Sequence, residues 1–421
     1  MNRNNPNRQK TAGIIRFSCG ILSFLFSVCY LYFLQGEILA EAQYVYSGGI
    51  TTYNLLAGAI IIPIVLQVLQ WIVSKLSNLP PCWHALSYLP SMLALAIITD
   101  VNRASIIAFS FGDWVWIAPA VILAYIIVAV IVKRANTGYG FKPHDVWSQA
   151  YPNYIILFVL IISAGCIPKS SDIYHFELKA ERLVLDKDYE GAAEVGYKSL
   201  QTSARLTQLR MYALSKQGQL ADRLFEYPQH YGSRGLLDIN DSQPDYRFSS
   251  QDICLYLGAL CGTSIKSTDR YYQLMLADSI WNQQTADYYL CSLLLDKRLD
   301  DFQQQLPNYY NLADSVPNAY DNLPLAFREA FLVIGQPEAA MQGSIVIADD
   351  TLATLSDTIL VRRFREYNEM KTRLSDPLER INRTHRQFGK TFWWYYDYSD
   401  KATGELSNDK TTDKHLDKRH P

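Results

Sequence analysis

The sequence predicts an all-α protein in two parts, a polytopic helical membrane domain followed by an α-solenoid outside the cytoplasm. Three observations carry that reading. Charge is unevenly distributed: between Phe17 and Val132 the only carboxylates and strong bases are Glu37, Glu41, Lys75, Asp100, Arg103 and Asp113, whereas from Lys169 onward charges come every few residues. The charge-poor half resolves into apolar runs near the ~20 residues a helix needs to cross a ~30 Å hydrocarbon core. The charge-rich half spaces its apolar residues helically, with a helix-turn-helix pattern that returns along the chain.

A chain of 421 residues with 49% apolar and 19% charged residues has room for two or three domains. A net charge of -2 provides no basic face to neutralise phosphates, so no nucleic-acid partner is expected. The expected division is a cytoplasmic tail over 1–12, a five-span membrane domain over 13–168, a periplasmic helical-repeat domain over 169–398 and a disordered tail over 399–421.

The first ten residues carry Arg3, Arg8 and Lys10 and lack a small-residue cleavage site, so they read as a retained tail. Span one is Gly13–Gln35. Gly36–Ile50 reads as an external loop without Lys or Arg, in which Glu37 and Glu41 are either solvated charges or stand where polytopic lipid-linked glycosyltransferases place an acidic residue. Span two, Thr51–Val73, contains Pro63, and its Gln67 and Gln70, three apart, share a face that turns towards other helices. Span three, Leu79–Thr99, is interrupted by Pro80, Pro81 and Pro90. It either crosses or dips and returns, and a full crossing is expected because it keeps Lys75 on the same side as Lys133, Arg134 and Lys142. Span four is Trp114–Val132 and span five Tyr154–Cys166. With bases before span one and after spans two and four, the positive-inside rule places the N-terminus in the cytoplasm and the C-terminal domain outside it, in a bacterial inner membrane.

Beyond Lys169 the segment Ala180-Glu181-Arg182-Leu183-Val184-Leu185-Asp186-Lys187-Asp188-Tyr189-Glu190-Gly191-Ala192-Ala193 reads as helix, polar turn and helix. Leu214 to Phe225 repeats it, with Leu220 matching Tyr189 at a spacing of 31, and Leu294 to Phe302 and Phe331 to Ala340 give two further turns. With D-Y-E-G-A-A at a second-helix entry, this half resembles tetratricopeptide repeats, which implies stacked helical pairs with a concave face for a protein or peptide. Together with the five-span anchor, the ending Phe388 to Tyr396 is similar to that of uncharacterised membrane proteins of Bacteroidetes. Tyr271-Tyr272, Tyr288-Tyr289 and Tyr309-Tyr310 are either packing between helices or a stacking surface. Cys254 and Cys261 are seven apart, about 10 Å along one continuous helix, too far for a disulfide; Cys291 is the alternative partner for either.

No H-E-x-x-H, Walker loop, G-x-S-x-G or G-x-G-x-x-G stands in a supporting context, so no catalytic, cofactor or metal site is expected. Gln67, Gln70, Asp100 and Arg103 form the candidate intramembrane polar site, with Asp100 and Arg103 also readable as an interfacial ion pair. Ser279, Ser315, Thr351 and Thr358 each follow an Asp and precede an apolar residue. That pattern resembles the acceptor of periplasmic O-glycosylation in Bacteroidetes, and it equally describes a helix N-cap. The leading functional expectation is a membrane-anchored scaffold whose partners are the lipid bilayer and a protein or peptide on the repeat face. The alternative is a membrane-embedded enzyme or transporter of lipid-linked sugars with the repeats as an accessory.

Overall fold

The computed structural model describes residues 6–101, 106, 110–138, 146–166, 172–199, 201–239, 247–261, 265, 267–277, 282–312, 320–335, 344–347, 351–354 and 358–399. The chain forms two compact units, Met1–Leu178 and Lys179–Pro421.

The first unit contains α1 (Pro6–Cys29), a π-helical turn (Tyr30–Leu34), α2 (Gly36–Tyr46), α3 (Leu55–Ser77), a 3-10 segment (Pro81–Tyr88), α4 (Leu89–Thr99), α5 (Trp114–Gly138) and α6 (Val146–Cys166). Among the described residues five stretches are long and apolar enough to cross a membrane: Ala12–Leu34, Leu55–Ser77, Pro81–Thr99, Trp114–Ala135 and Gln149–Cys166. Their outer faces carry exposed Ile64, Val68, Leu123, Ile127 and Phe158. Each such side chain forfeits roughly 1.5–3 kcal/mol if it faces water, so these faces suit lipid.

The third stretch is the most enclosed, with 56% of its apolar window buried against 11% for the fourth. Its prolines give the irregularity physical form. Pro81 opens a 3-10 segment, Trp83 departs from helical geometry (φ -119°, ψ 16°), and Pro90 sits in the first turn of α4, where no backbone N–H is needed. Eight residues at about 2.0 Å and eleven at about 1.5 Å span about 32 Å, enough to cross a ~30 Å core.

Two boundaries differ from expectation. Gly36–Ile50 is not an open loop: α2 occupies most of it, burying Ile38, Leu39 and Ala42, and Glu41 is only 3% exposed. The segment has no base to mark its interface and is shorter than a span, so charge counting passed over its apolar face. The last helix of the unit starts at Val146, not Tyr154, which brings Gln149 and Asn153 into the bundle.

The second unit holds α7 (Asp172–Leu185, whose first half lies in the first unit), α8 (Tyr189–Glu194), α9 (Ala204–Lys216), α10 (Ser250–Leu257), α11 (Thr268–Ala277), α12 (Gln283–Leu295), α13 (Leu299–Gln305), α14 (Leu325–Ile334), α15 (Thr358–Arg373), α16 (Pro377–Phe388) and α17 (392–399). Three of the four turns read from the sequence share one geometry. A left-handed residue, Lys187 (φ 63°), Gly218 (φ 69°) or Lys297 (φ 57°), ends the helix. The next amide then reaches back to the carbonyl of Leu183, Leu214 or Leu293 at 2.8–2.9 Å. The fourth, at Gly335, ends with φ -62° instead.

The helix expected after Gly218 does not form, and 220–227 runs as successive turns. The Ala221 carbonyl, which would accept the next helical amide, is bonded by Ala326 N at 3.1 Å, and the Asp222 carboxylate accepts Leu325 N at 2.8 Å as a cap on α14. The all-α expectation also misses one short hairpin, β1 (Ser344–Ile347) paired antiparallel with β2 (Thr351–Thr354). Each strand is only four residues, at the lower limit for reading alternation, and Ser-Ile-Val-Ile does not alternate.

Tyr271, Tyr272 and Tyr288 are fully buried, so these tyrosines pack between helices and offer no stacking surface. Phe392, Trp393 and Tyr395 are buried as well, with Tyr395 Oη donating to Leu295 O at 2.6 Å, which makes the aromatic ending a seal on the core.

Candidate functional site

Several polar side chains of the first unit form a seam around the proline-bearing 3-10 segment. Pro80 and Pro81 supply no amides, and the break at Trp83 frees backbone groups that lipid cannot satisfy. Asn153 of α6 satisfies them: its Oδ1 accepts Ala85 N at 2.7 Å, and its Nδ2 donates to Pro81 O at 2.9 Å and Gln149 O at 2.7 Å. Gln70 Nε2 donates to Ser87 Oγ at 2.8 Å, Ser87 Oγ donates to His84 O at 2.7 Å, and Ser91 Oγ donates to Leu66 O at 3.0 Å. These bonds tie α3 and α6 to the broken helix and are structural in kind.

Three of the four candidate polar residues, Gln67, Gln70 and Asp100, are described, and each bonds a different partner. Gln67 Nε2 donates to Gly20 O on α1 at 3.1 Å, while Gln70 is bound to Ser87. Asp100 lies just after α4, where its Oδ2 accepts Trp114 Nε1 at 2.8 Å. Arg103 lies outside the described residues, as do Ser279 and Ser315. Thr351 is the first residue of β2 and Thr358 the first of α15.

The sequence reading missed Asn153. Its signal was present, an amide one turn after Gln149 at the edge of an apolar run, but the expected span begins at Tyr154 and leaves it just outside.

Asp100 borders a cleft of about 620 Å³ between α4, α5 and α6. Leu89, Met92, Ala96, Val121 and Leu160 line its wall, and Asp100, Asp113, Trp114, Ser110 and Ser163 gather at one end. Ala96 and Ala164, both buried, leave the space that larger side chains would fill.

In the second unit, Cys254 and Cys261 form a disulfide with Cα atoms 5.9 Å apart, and Cys291 is a free buried thiol. The expectation of a 10 Å separation fails because the helix does not continue. α10 ends at Leu257, Gly258 takes φ 135°, and the chain doubles back. Tyr271 Oη holds the fold-back by bonding Cys254 O at 2.8 Å and Ala259 O at 2.9 Å. On this clipped turn Leu255 and Leu260 are 61% and 62% exposed.

Buried ionisable side chains tie elements of this unit together, among them Glu181 and Glu329. Glu181 Oε1 accepts Arg205 Nη2 at 2.8 Å and Phe248 N at 3.1 Å, joining α7, α9 and the approach to α10. Glu329 on α14 accepts Phe392 N at 2.7 Å, capping α17. Burial pushes its carboxyl up to about 8, against the opposing pull of the Phe392 amide, Arg363 and Arg328. Among the described residues no three His, Cys, Asp or Glu side chains cluster as metal ligands.

A family model described as a family of unknown function (DUF6057) matches residues 103–261 and 261–399. No curated protein and no solved structure matches the chain.

Proposed function

The chain belongs to the DUF6057 family, and from that premise we propose that it is a docking protein anchored in a bacterial inner membrane. Its N-terminus lies in the cytoplasm, five spans cross the bilayer, and the helical unit beyond them holds a protein or peptide partner on the periplasmic side. The observation that carries this reading is the Cys254–Cys261 disulfide, because disulfides persist in oxidising compartments. The placement of Arg3, Arg8, Lys10, Arg16, Lys75, Lys133, Arg134 and Lys142 favours the same topology by a separate physical rule, and the two arguments share no residue.

The docking part of the proposal rests on what the disulfide does locally. It fixes a turn that presents Leu255 and Leu260 to solvent, so a partner with an apolar or amphipathic segment can bury them without first ordering a mobile loop. The helical pairs with their repeated turn geometry, similar to those of tetratricopeptide repeats, supply the rigid support. A second reading, handling of lipid-linked sugars within the membrane, has one observation in its favour, the cleft bounded by Asp100.

Topology is tested by a reporter fused after Asp172. Active alkaline phosphatase at that point is expected, and fluorescence from an ordinary cytoplasmic fluorescent protein there overturns the placement. Docking is tested by a photo-crosslinking residue at position 260 in the native envelope. A discrete protein adduct that disappears in Leu255→Asp is expected, and the absence of any adduct counts against the reading.

A further inference from the structure

We infer that the cleft between α4, α5 and α6 binds one membrane lipid, with its tail along the three helices and a hydroxyl-rich, sugar-like head at Asp100 and Asp113. This inference rests on the second of the two readings above and is independent of the docking role of the other unit.

Three helix faces make the cleft, and each is written at helical spacing. Leu89, Met92, Leu93, Ala96 and Asp100 follow one face of α4 and its end, Trp114, Ile117 and Val121 one face of α5, and Leu160, Ser163 and Ala164 one face of α6. From Leu89 to Asp100 is about 16 Å of helix, close to half of a ~30 Å hydrocarbon core. The apolar wall therefore has the length of one leaflet. Its polar end falls where two candidate spans stop, at Thr99 and Trp114, the level at which lipid heads sit. A volume of about 620 Å³ is within the ordinary range of ligand sites.

The chemistry of that end selects the head. Asp100 and Asp113 bring carboxylates, which only accept hydrogen bonds when ionised, and Ser110 and Ser163 bring hydroxyls. The Trp114 indole N–H, 2.8 Å from Asp100 Oδ2, fixes the direction of that carboxylate before a ligand arrives. Neighbouring carboxylates and hydroxyls match the hydroxyls of a sugar, each of which donates and accepts. On the proposed topology this end faces the periplasmic side, so the lipid belongs to the outer leaflet of that membrane.

The test uses the full chain in mixed micelles with three photoactivatable lipids sharing one diazirine-bearing tail. One has a glycosyl head, one the same head with every hydroxyl methylated, and one an ethanolamine head. The glycosyl probe is expected to label peptides within 89–100 and 114–121 about tenfold more strongly than the methylated probe, the loss expected when hydrogen bonds to charged acceptors go unmade. Ala96→Phe is expected to abolish this labelling by filling the cleft. Asp113→Ala, at an exposed position that leaves the apolar wall untouched, is expected to reduce it several-fold, which keeps the test decisive even where Ala96→Phe fails to fold. Equal labelling by the methylated probe, preferential labelling by the ethanolamine probe, or labelling unchanged in Asp113→Ala overturns it. None of these results bears on the reporter fusion after Asp172, so the lipid site and the topology fail separately.

Discussion

The side-chain oxygen of Asn153 accepts the backbone amide of Ala85 at 2.7 Å, and through that bond one helix repairs a break in another. Asn153→Leu leaves the Ala85 amide and the Pro81 carbonyl without this partner inside the bundle. We expect it to lower stability in detergent by about 2 kcal/mol. Asn153→Asp keeps the acceptor and loses the donors, so it is expected to fall between. Thermal unfolding of the three proteins checks the order, and a leucine variant as stable as the parent removes the argument.

Removing the disulfide by Cys254→Ser with Cys261→Ser is expected to cost about 2–3 kcal/mol from loop-closure entropy, since the loop is short. In intact cells the two thiols should resist alkylation until a reductant is added. Cys291, fully buried, should react only on unfolding. Ready alkylation of Cys254 without reductant refutes both the bond and the compartment drawn from it.

The sequence made these features legible to different degrees, for physical reasons. Long apolar helices and the segregation of bases are one-dimensional signals, and the five long apolar stretches of the first unit followed from them, whereas the shorter α2 did not. The turns at Lys187, Gly218 and Lys297 are local too, because the chain end of each helix writes its own cap. What stayed hidden depends on a distant partner. Ala326 takes the carbonyl that a helix after Gly218 needed, Asn153 makes sense only beside Pro81, and the disulfide exists because Gly258 turns the chain back. The cleft was half legible: Asp100 stood out as an intramembrane charge, but its bond to Trp114 and the alanines that open the space emerge only from packing.

The buried pair Glu181 and Arg205 gives a prediction that separates charge from hydrogen bonding. Arg205→Met leaves a carboxylate buried beside the Phe248 amide and is expected to cost about 3–5 kcal/mol. Adding Glu181→Gln removes that charge while still accepting from Phe248 N, so the double variant should be more stable than Arg205→Met alone. Chemical denaturation of the set measures this. Strict additivity of the two losses means that the residues do not act as a pair.

Glu329 gives the last expectation, a pH dependence whose sign follows from linkage. Its carboxyl is raised from 4.5 to about 8 in the folded protein by burial, while Phe392 N, Arg363 and Arg328 oppose the rise. The folded state therefore holds this proton more tightly than the unfolded chain. The contribution is fully present below about pH 4.5, declines as pH rises, and is lost once pH passes about 8, a change of a few kcal/mol at most. Glu329→Gln keeps an acceptor for Phe392 N and cannot ionise, so its melting temperature should vary less between pH 5 and pH 9 than that of the parent. The difference should appear first as loosening of α17, read from the emission of Trp393, which is buried only while that helix stays docked. If parent and variant lose stability in parallel across that range, the titrating group lies elsewhere, and the Glu329 cap is a fixed structural bond instead of a proton-dependent one.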